Sequence, residues 1–338
     1  VDRGFDFYHG FHHARNMEAV IENDRVIAHD KTINMLPRLT KQAVAYIDSR
    51  AGHDQPFFLY LPLGSPHTPI LPSPEWQGKS GLGDYGDFVM QTDNVVGEVV
   101  AVLQKHDMTD NTLVIFTSDN GCSKAAAIPA LAKQGHIVSA HLRGSKADIW
   151  DGGHRIPFIV RWPGHVQSGS YSDQLICLTD LFATVGQLLN APVPADSCED
   201  SVSFQPALSG QQIKSTRAGV IHHSYSGHFA YRQDQWKLIL AMGSGGWSSP
   251  KENEMPAGSP KAQLYDLSVD PGETTSLYLE QPDVVKRLLK QLAGDITAGR
   301  STAGASSKND VENIVLWKTT GTQKPREPKK KSGKATAK

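Results

Sequence analysis

An aspartate and an asparagine stand side by side at positions 119 and 120, directly after the apolar run Leu113–Phe116 and before Gly121. An adjacent carboxylate and amide carbonyl are two hard oxygen donors of the kind that Ca2+ or Mg2+ takes. The same three residues also close Asx turns, the commoner use of an isolated Asp-Asn-Gly. His67 lies in Gly64-Ser-Pro-His-Thr-Pro69, where proline fixes its own φ and biases its predecessor toward extended backbone. An imidazole held this way can be aimed at a site with little entropic loss, although an ordinary loop histidine is the alternative. Lys146 follows Arg143-Gly-Ser, with Gly152-Gly153 shortly beyond. Small neighbours let backbone and ammonium approach an anion together, where a lone lysine is otherwise a solvated charge.

These residues need elements to carry them. The spacing of Leu36, Leu39, Ala43, Tyr46 and Ile47 predicts a helix over 33–47, and Phe57–Leu63 reads as a buried strand that delivers His67. A second helix is predicted over 88–106, with Phe88, Thr92, Val95, Val99 and Val102/Leu103 inward. The strand ending at Asp119 follows it. Four consecutive large apolar residues there suit a strand buried on both faces of a parallel sheet, whose carboxyl end is where ligands bind. Cys122–Ala140 reads as a surface excursion, 156–162 as another buried strand, and 179–190 as a helix with Leu181, Phe182, Val185, Leu188 and Leu189 inward. Val1–Ala14, with His9, His12 and His13, has no period and reads as a packed loop whose histidines are structural.

Beyond Ala191-Pro-Val-Pro the character changes to short strands, 219–225, 229–232, 236–241 and 263–267, and then a helix over 283–296. The fold class expected is therefore α/β, a mostly parallel central sheet flanked by helices over 1–211. A smaller antiparallel α+β lobe spans 212–300. A tail spans 301–338 and is expected to be disordered from about 320, because Lys324–Lys338 carries seven Lys or Arg against one Glu.

The 338 residues suffice for a large core, and the formal charge of −1 predicts no general affinity for nucleic acid. With 39% hydrophobic and 20% charged residues, no apolar run reaches the length of a membrane span. Cys122, Cys177 and Cys198 form neither a disulfide framework nor a zinc pattern, and no Asn-x-Ser/Thr sequon occurs.

Several separated stretches together resemble the sulfatase family, in the arylsulfatase-like branch of the alkaline-phosphatase superfamily. They are Arg3-Gly-Phe-Asp-Phe-Tyr-His-Gly10, Ser65-Pro-His-Thr-Pro69, Phe116-Thr-Ser-Asp-Asn-Gly121, Arg143-Gly-Ser-Lys146, Asp151-Gly-Gly-His-Arg-Ile-Pro157, Arg161-Trp-Pro-Gly164 and Gln235-Trp-Lys-Leu-Ile239, in the family's order. The resemblance implies an alkaline-phosphatase-like fold and hydrolysis of a sulfate ester. It assigns Asp119 and Asn120 to one divalent cation, calcium first and magnesium second. His67 would contact the sulfate or leaving-group oxygen, and Lys146 would hold a sulfate oxygen. Among the weaker candidates, His154, His222 and His223, the last is assigned to the substrate mouth. The implied partner is a sulfated small molecule or sulfated carbohydrate, and the implied compartment is secreted, periplasmic or lysosomal.

The sequence also departs from that pattern. The family's Asp-Asp metal pair, its Cys/Ser-x-Pro-x-Arg motif and its Gly-Lys-Trp-His segment are not found in these residues. The Cys or Ser of the second motif becomes formylglycine, the nucleophile, so the resemblance predicts a chain truncated at its N-terminus and inactive alone. The nearest match, Ser248-Ser-Pro-Lys-Glu252, lacks the Arg. A phosphate-ester hydrolase of the same superfamily and an inert carbohydrate- or partner-binding relative are the alternatives.

Overall fold

A computed structural model describes residues 4–14, 16–194, 196–214 and 217–318. The basic tail and Arg3, which opens the first family-like stretch, lie outside them. Two helices frame the first half. α1 (Met35–Arg50) and α2 (Asp84–Lys105) present apolar residues at helical spacing, as predicted. Leu36 packs with Phe88 and Val95, and Ile47 packs with Val102 and Leu103, so the two helices run in the same direction. α2 begins four residues earlier than the sequence indicates. Asp87 in its first turn accepts the backbone N–H groups of Gly78 and Ser80, both at 2.7 Å, which folds the preceding loop onto the helix end.

The extended segment 57–63 runs against these helices in the opposite sense. Phe57 and Leu59 join the Ile47/Val102 cluster, while Leu61 and Leu63 join the Leu36/Phe88 cluster. β1 (His9–His13), inside the stretch 1–14 read from the sequence as a loop, forms an antiparallel sheet with β2 (Asn16–Glu22) and β3 (Arg25–His29), and β2 buries Met17 and Val20. β4 (Val114–Thr117) starts beside Phe57 and Leu59, because Val114 shares their cluster. Segment 57–63 and β4 therefore leave the same end of the helix pair, the sense of a strand–helix–strand unit.

The α/β class expected from the sequence holds, while a mostly parallel central sheet is not seen among the described strand pairings. Every strand pairing among the described residues is antiparallel. β4 pairs with β5 (Phe158–Arg161), Val114 opposite Arg161 and Thr117 opposite Phe158. Residues 57–63 stay extended without a ladder, and Phe58, Tyr60 and Ile159 are exposed, so these strands are covered on one face rather than two. The excursion after β4 contains the short α3 (Ile128–Lys133), anchored by buried Leu131. α4 (Asp151–His154) precedes β5.

α5 (Asp180–Leu188) corrects a second expectation. Its buried edge is polar: Asp180 and Thr184 face inward while Phe182, Val185 and Leu189 are exposed. The reason is an ion pair, Arg217 Nη1 to Asp180 Oδ1 at 2.7 Å, with both side chains almost fully buried. After α6 (Gln205–Leu208) comes a four-stranded antiparallel sheet in chain order, β6 (Val220–His223), β7 (Phe229–Gln233), β8 (Trp236–Ile239) and β9 (Gln263–Asp266), close to the strands predicted. Its alternation is clean. Tyr231, Leu238 and Leu264 meet Leu288 and Leu292 of α7 (Pro282–Ala298), while Ala230, Ile239 and Tyr265 on the other face meet Ile149 and Trp150.

At the centre of that second face the ammonium of Lys237 is wholly buried, 2.6 Å from Asp151 Oδ1 and 2.8 Å from Glu273 Oε1. Lys237→Met would leave two buried carboxylates with Arg232, 3.5 Å from Asp151, as the remaining cation beside them, a loss of about 3 kcal/mol. Denaturant unfolding should register it as a lower midpoint at unchanged slope, and an unchanged midpoint would remove the cluster from the stability argument.

Candidate active site

α2 holds two loops at fixed separation. Thr92 Oγ1 gives its proton to the Phe88 carbonyl and accepts the Ser65 hydroxyl at 2.8 Å, and the Tyr85 hydroxyl lies 3.3 Å from Cys122 Sγ. Residues 85 and 92 are seven apart, so they share one helix face about 10 Å apart along the axis. The loop carrying His67 and the loop after Asn120 are thus docked on the same side of one rigid element. His67 donates its Nδ1–H to the Thr68 carbonyl at 2.7 Å, which leaves Nε2 as the ring nitrogen open to another partner.

Lys146 joins the second loop directly, its backbone N–H donating to the Cys122 carbonyl at 2.8 Å. Three glycines permit this. A Cβ on Gly121 would stand 1.9 Å from the Gly152 carbonyl oxygen, one on Gly152 2.4 Å from that of Gly144, and one on Gly153 2.6 Å from that of Asp148. Gly121 N–H also bonds the Gly153 carbonyl at 3.0 Å. Antiparallel pairing explains the meeting, since the end of β4 faces the start of β5. Ala147 has φ +83°, a conformation costing about 1–3 kcal/mol that persists only where its surroundings fix it. Here they do. Asp148, fully buried, accepts the N–H groups of Ser145, Trp247 and Ser248 at 2.8, 2.8 and 2.9 Å, and the Ser248 hydroxyl at 2.5 Å.

The predicted residues divide accordingly. Asp119, Asn120 and Lys146 lie on loops joined by the Lys146 N–H to Cys122 carbonyl bond, and the loop that carries His67 docks on the same helix through Ser65 and Thr92. The Asp119 carboxylate and the Lys146 ammonium make no hydrogen bond or ion pair among the described residues. Asn120 donates its amide to the Gly121 carbonyl at 3.2 Å, leaving its Oδ1 free. Asp119 and Asn120 thus offer two oxygens to a cation, and no cluster of three or more His, Cys, Asp or Glu exists among the described residues. Arg143, by contrast, is structural: it covers the Trp150 ring at 3.7 Å and donates to the Glu273 carbonyl at 2.6 Å. Ser248 is committed to Asp148, and Glu252, where an Arg would stand, accepts the Gly245 N–H at 2.9 Å. That loop does not fit a formylglycine site.

His223 is exposed, edge-on to Phe229 with ring centroids 4.3 Å apart. Partial burial and then Lys318 lower its pKa. His154 and His222 face each other at 4.4 Å, bonded to the carbonyls of Asp148 and Ile149, with both Nε2 atoms buried and unpartnered among the described residues. Burial, aided by the Lys237 ammonium, pushes His154 down to about 4 and His222 well below the ordinary imidazole value. Sequence reasoning missed Tyr85, Asp148 and the Lys237 cluster, because a partner some 37 to 122 positions away leaves no local pattern.

The sulfatase family model matches residues 3–191, and a model for the C-terminal region of N-sulphoglucosamine sulphohydrolase matches 145–300. The chain belongs to the sulfatase family. It is 35% identical over 258 residues to an N-acetylgalactosamine-6-O-sulfatase of Bacteroides thetaiotaomicron, covering 75% of this chain and 49% of that one. It is 34% identical over 193 residues to human steryl-sulfatase, covering 56% of this chain and 32% of that one. A solved B. thetaiotaomicron sulfatase, described with glycosaminoglycan metabolism, superposes with TM-score 0.70 at 34% identity, covering 80% of this chain and 56% of that one. The chain thus spans about half the length of the Bacteroides relatives it matches. A Pseudoalteromonas sulfatase with TM-score 0.70 and 24% identity, covering 83% of this chain and 58% of that one, shares the fold. No helix among the described residues is long and apolar enough to cross a membrane.

Two measurements check this geometry. Gly121→Ala forces a Cβ into a backbone carbonyl and should destabilise by about 3 kcal/mol or more, read as a lower unfolding midpoint. For His154, a folded pKa below the unfolded value of about 6.5 means that the unfolded chain binds the extra proton. Stability is therefore complete above pH 6.5 and lost as pH falls toward 4, on the order of 2–3 kcal/mol. His154→Gln should flatten that part of the stability–pH curve, and an unchanged slope would contradict the assignment.

Proposed function

We propose that this chain supplies the anion-gripping and leaving-group side of a sulfatase active site, within a protein that hydrolyses a sulfate ester. The observation that supports this reading is the backbone bond from Lys146 to Cys122, which ties the lysine loop to the loop of Asp119 and Asn120 after β4, while α2 holds the His67 loop through Ser65. A sulfate monoester carries one negative charge, which spreads over the sulfonyl oxygens and onto the departing alkoxide as the S–O bond breaks. The Lys146 ammonium, with no counter-ion among the described residues, pairs with a sulfonyl oxygen. His67, its Nδ1–H fixed on the Thr68 carbonyl, presents Nε2 to the leaving oxygen, where its protonated form gives up a proton.

Asp119 and Asn120 would hold one divalent cation, which adds Lewis-acid stabilisation of the sulfonyl oxygens when bound. Calcium suits their hard oxygens, with magnesium second, and the remaining ligands come from outside this pair. The formylglycine nucleophile is proposed to stand on residues other than these, so this chain alone turns nothing over. His223 is proposed at the substrate mouth, and the boundary between catalytic domain and small lobe near residue 211. A parallel central sheet is proposed for the whole protein, adding strands to the open edges at 57–63 and β4. The sulfated ligand class follows the Bacteroides relative's name, which specifies a sulfated amino sugar.

In the active, full-length protein, Lys146→Ala should lower kcat/KM for a sulfate ester by about 100- to 1,000-fold. His67→Ala should lower it by about 100- to 10,000-fold, most for substrates with poor leaving groups. Faster turnover of phosphate monoesters than of sulfates would assign the site to the phosphate branch instead.

A further inference from the structure

Beside the Lys146 loop stand two aromatic rings that no step above uses. Tyr225 is 70% exposed and Trp247 is 38% exposed, with ring centroids 5.4 Å apart and planes at 57°. Isolated exposed aromatics need no explanation, but these two are in contact and each is fixed to the loop by its own backbone. Tyr225 N–H donates to the Ala147 carbonyl at 2.9 Å, one residue from Lys146, and Trp247 N–H donates to the buried Asp148 carboxylate at 2.8 Å. The Trp247 carbonyl in turn accepts the Lys124 ammonium. Between the two, Gly246 lies so close that a Cβ would come within 2.3 Å of the Ala147 carbonyl oxygen. The strained Ala147, the hub at Asp148 and the missing side chain at 246 therefore hold the pair in place before any ligand arrives.

We propose that Tyr225 and Trp247 form a sugar-binding subsite, taking the pyranose ring of a sulfated carbohydrate whose sulfate lies toward Lys146. The assignment rests on the sulfate-ester reading and gives the sugar part of that substrate a place on this chain. Two tilted, half-open rings fit the C–H face of a pyranose, which is apolar in the middle and hydroxylated at its edge. The surroundings match that edge. Ser226 and Ser249 are exposed at the rim, and the charges of Lys124 and Lys146 complement an acidic polysaccharide. A flat aryl or steroid body would call for a deeper apolar wall, and beyond the two rings the rim is polar.

The test is calorimetric titration of this chain with a 6-sulfated chondroitin tetrasaccharide and its desulfated counterpart, with 4-nitrophenyl sulfate as the aryl probe. Trp247→Ala and Tyr225→Ala should each weaken both oligosaccharides about tenfold, and Trp247→Phe should keep most of the affinity. Lys146→Ala should weaken only the sulfated one and erase the difference between the two. Circular dichroism and the unfolding midpoint identify any variant that fails to fold, in which case Trp247→Phe and Trp247→Leu carry the comparison. Unchanged oligosaccharide affinity in both folded alanine variants overturns the subsite, and so does aryl sulfate binding that alone depends on Trp247. If instead the aromatic variants lose affinity while Lys146→Ala keeps the sulfate preference, the sugar subsite stands and the sulfate role of Lys146 falls.

Discussion

A single buried ammonium joins the two halves of this molecule. Lys237 projects from the four-stranded sheet β6–β9, away from α7, and meets Asp151 at the start of the helical turn that precedes β5. Glu273 completes the cluster, its carboxylate also accepting the Asp151 N–H at 2.5 Å. Burial raises the Glu273 carboxyl, with Lys237 opposing. Asp151 is desolvated as well, yet Lys237 and Arg232 outweigh that and hold it low. One cation beside two carboxylates leaves an excess negative charge that Arg232, 3.5 Å from Asp151, offsets. Such a cluster contributes little net stability compared with an apolar core, but it tolerates only one geometry. That geometry sets the glycine pair behind Asp151, and the glycine pair sets where Gly121 and Lys146 can lie.

The second constraint is the length of a helix. Loops bearing functional groups are precise only when rigid elements position them, and α2 binds one loop through Thr92 and another through Tyr85. Because segment 57–63 and β4 leave the same end of the α1–α2 pair, the chain returns twice to one edge. Its polar groups collect there without any contact between them in sequence.

The sequence made this edge legible where local chemistry sufficed. Leu36, Leu39, Ala43 and Ile47 mark α1 by spacing, and the small-lobe strands follow from alternation and turns. The motif around Asp119 marked the end of β4. Other features depended on partners far along the chain. α5 carries its leucines and Phe182 at helical spacing, yet Arg217 claims Asp180 and turns the polar edge inward. β1 and β2 escaped notice because their register shifts between Phe11 and His13, which breaks the two-residue alternation a strand is read by. The parallel sheet was inferred from the apolar run 113–116, but apolar content does not specify the direction of a neighbour, and β5 pairs antiparallel. Asp148 reads as an ordinary loop acid. Only the fold shows it gathering Ser145, Trp247 and Ser248 under the loop that carries Lys146.

Charge bounds what this arrangement can do. Asp119 and Lys146 carry opposite charges without pairing among the described residues, so on the proposed reading a sulfate monoester arriving alone would meet a group of nearly zero net charge. A divalent cation on Asp119 and Asn120 would make the cluster doubly positive, while two oxygen donors fall far short of the six to eight that calcium takes. Each further carboxylate brought to the ion would lower that excess charge and raise the ion's residence at the same time. The cation and the anionic substrate are therefore coupled through electrostatics. On the proposed reading, the affinity of these residues for either one would depend on ligands to the cation beyond Asp119 and Asn120.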